Sequence, residues 1–304
     1  MQNAIKLTSY APKTDLTSLL MRDYVASCAA LFFFLVQTIS PELLNWLSIP
    51  FLAIGFIFPG MTHGSLDFYI VSRYTSPNKP RFTSLAVYLL IVAIVVLTWT
   101  ITPKLVFILF LLNSAYHFGE TDLRSSSSPS RILDLVYGTL LLSILFITHS
   151  KETVEYLHGF GISVPNPDVS QRTFLSITLF SLIGIFQLFT PGHNRIIDAL
   201  IVLAIGINLP LILAFGIYYI LVHSRTAWKD LGQELALNQR SMLKLAAPFT
   251  AGGCLLITII YFAFDSYADF FSEPVSLVVI GLAAITLPHS IAMSLFYHKA
   301  DRKH

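Results

Sequence analysis

The chain has 304 residues, of which 55% are apolar and only 12% charged, with a formal net charge of +2 and a mean hydropathy of +0.70. An ordinary soluble domain carries roughly 25% charged residues, so this composition excludes a soluble enzyme and a disordered chain. So small a net charge gives no support for a nucleic-acid partner. What remains is an all-α, polytopic membrane protein whose environment is the lipid bilayer.

A helix needs about 20 mostly apolar residues to cross the hydrocarbon layer. In chain order such runs occupy 24–40, 45–72, 83–102, 104–123, 131–149, 173–190, 194–208, 209–230, 241–264 and 274–298, about ten transmembrane helices. The first follows a 23-residue polar segment without a small-x-small cleavage site, so it reads as an uncleaved anchor and not a signal peptide. The first two runs divide near Ser40-Pro41-Glu42, and the seventh and eighth near Asn208-Leu209-Pro210. Proline starts or breaks helices, so each division reads as a tight turn. The stretch 150–172 forms the longest outer loop, and Ser125–Ser128 forms a cytoplasmic linker. No internal repeat divides the chain. Residues 24–298 form a single transmembrane domain between a cytoplasmic segment, 1–23, and a cytoplasmic tail, 299–304.

An even number of spans puts both termini on one side. Of the 19 Lys and Arg, only Lys104, Lys151 and Arg172 then fall on the other side. That asymmetry places both termini in the cytoplasm of a multi-pass protein of the cell (inner) membrane. The two cysteines, Cys28 and Cys254, lie far apart in apolar runs. With no CxxC or Cys/His spacing they read as small apolar fillers.

Nine histidines are present. His149, His158, His193, His298 and His304 fall in loops or at span ends, where a solvated imidazole is the plain reading. His63, His117, His223 and His289 lie inside the second, fourth, eighth and tenth spans, which all run the same way. Each sits roughly 5–10 residues before the cytoplasmic end, or about 8–15 Å of helix rise. Ionisable residues inside a membrane are costly and rare. A lone buried histidine is usually a satisfied packing residue. Four at one depth on four helices point to a shared metal, and imidazole suits iron, copper, zinc or nickel.

Two of these histidines are followed by an aspartate, at Asp67 and Asp122. On a continuous helix Asp67 lies one turn below His63 on the same face. Metal-bound imidazoles commonly give their other N–H to a carboxylate, and Asp67 and Asp122 are the candidates for that role. The plainer alternative makes them, like Glu120, span-end charges facing cytoplasmic water. Gly64 and Gly119 beside the histidines allow close helix approach, which ordinary packing explains equally well.

At these residues the sequence resembles the Brp/Blh family of membrane β-carotene 15,15′-dioxygenases. The resemblance rests on His63-Gly64-Ser65-Leu66-Asp67, His117-Phe118-Gly119-Glu120-Thr121-Asp122, His223-Ser224-Arg225 and Pro288-His289, in the family's order and spacing over about 230 residues. It implies oxidative cleavage of the central double bond of β-carotene, or a related carotenoid, by O2 to give two retinal molecules. It also implies Fe(II) as cofactor, with His63, His117 and His223 as ligands, and a rhodopsin as acceptor of the retinal. One position departs from the family: its third motif carries a second histidine four residues after the first, where this chain has Ala227. Either His289 completes the ligand set, or three histidines and water hold the metal, or the chain has left the family's chemistry. A diverged member acting on another carotenoid or serving opsin biogenesis without catalysis, a zinc-dependent intramembrane hydrolase, and a transporter are the alternatives.

Overall fold

The computed structural model describes residues 24–74, 81–123, 130–160, 162–189, 194–264 and 274–301. The segment 1–23, the Ser125–Ser128 linker, His193, His304 and the last three residues of the expected tail lie outside these. Among the described residues the chain is helical and holds no strand.

Proline and its capping neighbours set the helix starts. Helix α1 (Val25–Ile39) ends at Ser40, whose Oγ accepts the Leu43 N–H at 3.2 Å. Pro41 then opens α2 (Pro41–Gly55) at a first-turn position, where its missing N–H costs nothing. Helix α2 runs into a π-helical turn (Phe56–Met61) and a short helical piece (Thr62–Gly64). After a turn at residues 65–66 comes α3 (Asp67–Tyr74). The π-turn has a local cause: Pro59 has no N–H to give Gly55, and its ring crowds that carbonyl.

The remaining helices are α4 (Arg81–Ile101), α5 (Pro103–Asp122), α6 (Arg131–Thr148), α7 (Ser150–Gly159), α8 (Val169–Phe189), α9 (Asn194–Gly206), α10 (Leu211–Tyr218), α11 (Arg225–Leu235), α12 (Gln239–Phe264) and α13 (Pro274–Asp301). A second π-turn (Tyr219–Ser224) joins α10 to α11. The expected divisions at Ser40-Pro41 and at Asn208-Leu209-Pro210 are both observed.

Among the described residues, seven helices are long and apolar enough to cross a membrane. The other three expected spans are helical but fall short of that standard. Helices α1 and α9 have 15 and 13 residues. Helix α5 has 20, but Asn113, Ser114, His117, Glu120 and Asp122 make its second half polar. The stretch 150–172 is not wholly loop, since its first ten residues form α7.

The bundle is inverted relative to a soluble domain. Ile39, Ile101, Leu188, Ile132, Trp46 and Phe174 point outward, each at least 70% exposed. Thr62, His63, Asp67, His117, Asp122, His223, Ser224 and His289 are buried. Outward apolar side chains suit hydrocarbon, and inward polar ones find partners on neighbouring helices. Cys28 is exposed on the outward face and Cys254 is half-buried, and neither forms a disulfide.

Helices α5 and α6 approach most closely. A Cβ on Gly119 would overlap the Asp134 backbone, and one on Gly138 the Ala115 backbone. Only glycine permits that backbone contact. It locks the helix carrying His117 and Asp122 against its neighbour.

Candidate metal centre

Four histidines separated by up to 226 residues in sequence converge in the interior. Ring centroids lie 4.8 Å apart for His63 and His289, 4.7 Å for His117 and His289, 4.9 Å for His117 and His223, and 5.8 Å for His63 and His223. All four are nearly or fully buried. His63 follows the first π-turn and His223 lies inside the second. The two π-turns pack against each other, so both irregular backbone segments flank the cluster.

One ring nitrogen from each of His63, His117 and His223 lies within 4.8 Å of the others. His117 Nε2 and His223 Nε2 are 3.3 Å apart. Two nitrogens bound tetrahedrally to one ion at ~2.1 Å would be ~3.4 Å apart, so this pair has ligand spacing. His63 Nδ1 is 3.0 Å from the Pro59 carbonyl, which leaves Nε2 for the centre. His289 Nδ1 is 2.8 Å from Asp67 Oδ1, and its Nε2 is buried without a hydrogen-bond partner among the described residues. Among the described residues three imidazole nitrogens, those of His63, His117 and His223, share ligand spacing, with the His289 ring beside them, and such a set suits a borderline transition metal such as iron or zinc.

Both aspartates join the site, but not through the histidines that precede them. The chain turns at residues 65–66, so Asp67 leaves the His63 face and meets His289 instead. Its Oδ2 accepts a hydrogen bond from Tyr88 at 3.3 Å. Asp122 turns from His117 to His223, with Oδ1 3.7 Å from Nδ1. Its Oδ2 accepts hydroxyl hydrogen bonds from Tyr218 at 2.7 Å and Tyr137 at 3.2 Å. Asp122 is fully buried, which removes the reading of a solvated span-end charge. Glu120 instead accepts from Tyr116 at 2.9 Å and Ser294 at 2.7 Å. The carboxylate-supporting tyrosines had no distinguishing signal in a chain with 13 of them.

At the cytoplasmic end suggested by sequence, Arg195 makes a two-armed bridge to Asp230 at 2.8 and 3.1 Å. It also donates to the Thr121 carbonyl at 3.1 Å, tying α9 and α11 to the end of α5 beside Asp122.

The histidines open onto a cavity of about 30 Å3, walled also by Phe110, Ser114, Phe118, Phe215, Tyr219 and Leu282. That is space for one or two water-sized molecules. Tyr219 lies nearly parallel to Phe56, Phe215 and His223, at 5.2, 5.6 and 5.9 Å. A flat aromatic surface thus leads up to a His223 ring.

A family model described as beta-carotene 15,15′-dioxygenase matches residues 54–297. The chain belongs to that family. The matched segment contains all four histidines and both aspartates. A beta-carotene 15,15′-dioxygenase from an uncultured marine bacterium, 66A03, is 26% identical over 267 residues, spanning 84% of this chain and 94% of the relative. No solved structure matches the chain.

Ala227, the position at which the resemblance leads us to expect a further histidine, is fully buried in an apolar cluster with Leu66, Ile70 and Leu231. His158 and His298 are exposed, as expected for loop or span-end residues. His149 is not: it is buried, with Nδ1 2.8 Å from the Leu145 carbonyl and Nε2 3.0 Å from both the Gly206 and Leu209 carbonyls. The turn between α9 and α10 folds over it, which corrects the solvated reading.

Proposed function

We propose that this chain is a membrane β-carotene 15,15′-dioxygenase that holds Fe(II) and cleaves the central double bond of β-carotene with O2. The overall change balances simply. The carbon–carbon double bond and the O–O bond are both broken, and each of two retinal molecules keeps one oxygen atom. When bound, Fe(II) supplies the open coordination positions and electrons that activate O2.

The observation that carries this reading is the convergence of four buried imidazoles within a chain of this family. His63, His117 and His223 hold the ion, and His289 takes the place of the family histidine missing at Ala227. Asp67 fixes the His289 ring through Nδ1, and Asp122 faces Nδ1 of His223. These carboxylates set ring orientation and tautomer. Phe56, Phe215 and Tyr219 offer the polyene a flat surface beside the ion. A carotenoid cannot enter 30 Å3, so its entry from lipid requires the apolar wall around Phe110, Phe215 and Leu282 to part. Ten spans with cytoplasmic termini, an inner-membrane location and a rhodopsin as retinal acceptor belong to the same reading.

The test is expression in a β-carotene-accumulating host. Cells bleach and retinal appears with the native chain, whereas His63→Ala keeps the colour and loses iron. Unchanged colour with native protein in the membrane refutes the reading. Ala227 favours a second one: a diverged member with another carotenoid substrate, or a non-catalytic role in retinal or opsin biogenesis. That reading gains if the native chain is inactive and Ala227→His gains cleavage.

A further inference from the structure

The opposite end of the bundle from Arg195 and Asp230 holds a second, larger cavity of about 270 Å3. Gln37, His149, Lys151, Glu152, Arg172 and Asn208 line it. These residues mark the ends of four apolar helices. Gln37 is in the last turn of α1, Lys151 follows the end of α6, Arg172 is in the first turn of α8, and Asn208 follows α9. In a membrane, that level is the headgroup layer and not the hydrocarbon.

The charges in this cavity are unbalanced. Neither the Lys151 ammonium nor the Arg172 guanidinium has a hydrogen bond or ion pair among the described residues. The one carboxylate in the lining, Glu152, accepts the Leu211 N–H at 2.9 Å and so caps α10. Asp168, four residues before Arg172, is likewise committed to its own helix. It accepts from Ser170 Oγ at 2.6 Å and the Gln171 N–H at 2.8 Å. Gln37 Oε1 is buried without a partner among the described residues and can accept a hydroxyl. His149, held by carbonyls of both α6 and the Gly206–Leu209 turn, fixes the wall between the two basic side chains and α9. Lys151 and Arg172 are also two of the three basic residues that the sequence assigns to this side of the membrane.

We infer that this cavity binds the phosphodiester headgroup of an anionic phospholipid. Arg172 and Lys151 take the phosphate oxygens, and Gln37 takes a hydroxyl of the headgroup. A guanidinium fork matches the spacing of phosphate oxygens, and a lysine adds a point charge. The lipid is favoured over free phosphate by depth and by the flanking surface. Ile39, Ile207 and Phe174, 79%, 40% and 70% exposed, offer an apolar path for acyl chains beside the basic pair. This inference does not depend on carotene cleavage.

The full chain in detergent is titrated with phosphatidylglycerol, phosphatidylcholine or inorganic phosphate, with thermal unfolding as readout and native mass spectrometry to count bound lipid. Phosphatidylglycerol raises the Tm and remains bound; phosphatidylcholine and inorganic phosphate do neither. Arg172→Gln and Lys151→Gln each raise the half-saturating lipid concentration about fivefold, the ratio that corresponds to roughly 1 kcal/mol per basic residue at a lipid surface. Lys104→Gln, at an exposed residue on the same side but outside the cavity, changes nothing. Equal stabilisation by inorganic phosphate overturns the inference. So does an equal loss in Lys104→Gln, or an unchanged titration in Arg172→Gln.

Discussion

Removing Asp67 tests the centre at the point where sequence and structure disagree. Among the described residues its carboxyl group is the only hydrogen-bond partner of His289 Nδ1, at 2.8 Å, and both residues are buried. In Asp67→Ala the ring keeps its place against Gly64 but loses the group that fixes which nitrogen carries the proton. Loss of such an outer partner commonly lowers metal affinity 10–100-fold, or roughly 1.4–2.7 kcal/mol. Asp67→Ala belongs at the upper end, because no other acceptor replaces the carboxyl group. Asp67→Asn belongs near tenfold: its amide oxygen still accepts from Nδ1, and its NH2 can donate to the Tyr88 hydroxyl, which is 3.3 Å from Oδ2 in the native chain.

The assay is iron per chain after equilibration with graded concentrations of a competing chelator. A double-mutant cycle supplies the decisive comparison. If Asp67 acts through His289, Asp67→Ala/His289→Ala loses no more iron than His289→Ala alone. If it acted through His63, as helical spacing suggested, the double variant would lose the two effects in sum. Native-like iron retention in Asp67→Ala, alongside lost iron in His63→Ala, refutes the reasoning.

Other perturbations probe the surrounding frame. Tyr218→Phe removes a buried 2.7 Å hydrogen bond to Asp122 and leaves, among the described residues, the 3.2 Å bond from Tyr137 on that oxygen. We expect a stability loss of ~1–3 kcal/mol by thermal unfolding, with weaker iron retention. Gly138→Ala drives a methyl into the Ala115 backbone and parts α5 from α6. It should cost ~1–3 kcal/mol by overpacking and reduce folded yield, while Gly184→Ala, with open space at that Cβ, should not. Acid should loosen the start of α8. Hydrogen bonds from Ser170 and the Gln171 N–H hold the Asp168 carboxyl below its usual pKa. That contribution is present above the unfolded pKa of ~3.9 and is lost as pH falls through the lower folded value. Hydrogen exchange at residues 169–172, corrected for intrinsic rate, should rise in that acid window in the native chain and show no such pH dependence in Asp168→Asn.

Much of the scaffold was legible because membrane composition makes single residues conspicuous. Pro41 and Pro210 mark helix starts, and four histidines inside apolar runs mark the candidate centre. What stayed hidden was contact at long range. Asp67 and His289 are 222 residues apart, and nothing in either motif names the other. The first π-turn has Pro59 as its cause, but the second, Tyr219–Ser224, contains no proline or glycine. Without that turn in the pattern, the side chains facing His223 could not be assigned. His149 was misread for a related reason: its partners are backbone carbonyls of a distant turn, which have no side-chain signature.

The energetics of the cluster argue that its polarity serves a ligand and not the fold. His117 Nδ1, Asp122 Oδ1, His223 Nδ1 and His289 Nε2 are all buried without hydrogen-bond partners among the described residues. Each such atom costs ~1–3 kcal/mol, and these four lie together in the histidine cluster, whereas others such as Trp99 Nε1, Ser150 Oγ and Gln187 Oε1 are scattered. Leucines of similar volume would pack there more cheaply, as replacements of buried polar groups often do. By contrast, the polar pair at the end of the bundle, Arg195 and Asp230, is matched on both arms. Among the described residues, buried imidazole nitrogens without a partner occur only in this cluster, and of these His289 Nε2, on the far side of the ring from the Asp67-bound Nδ1, faces the shared centre.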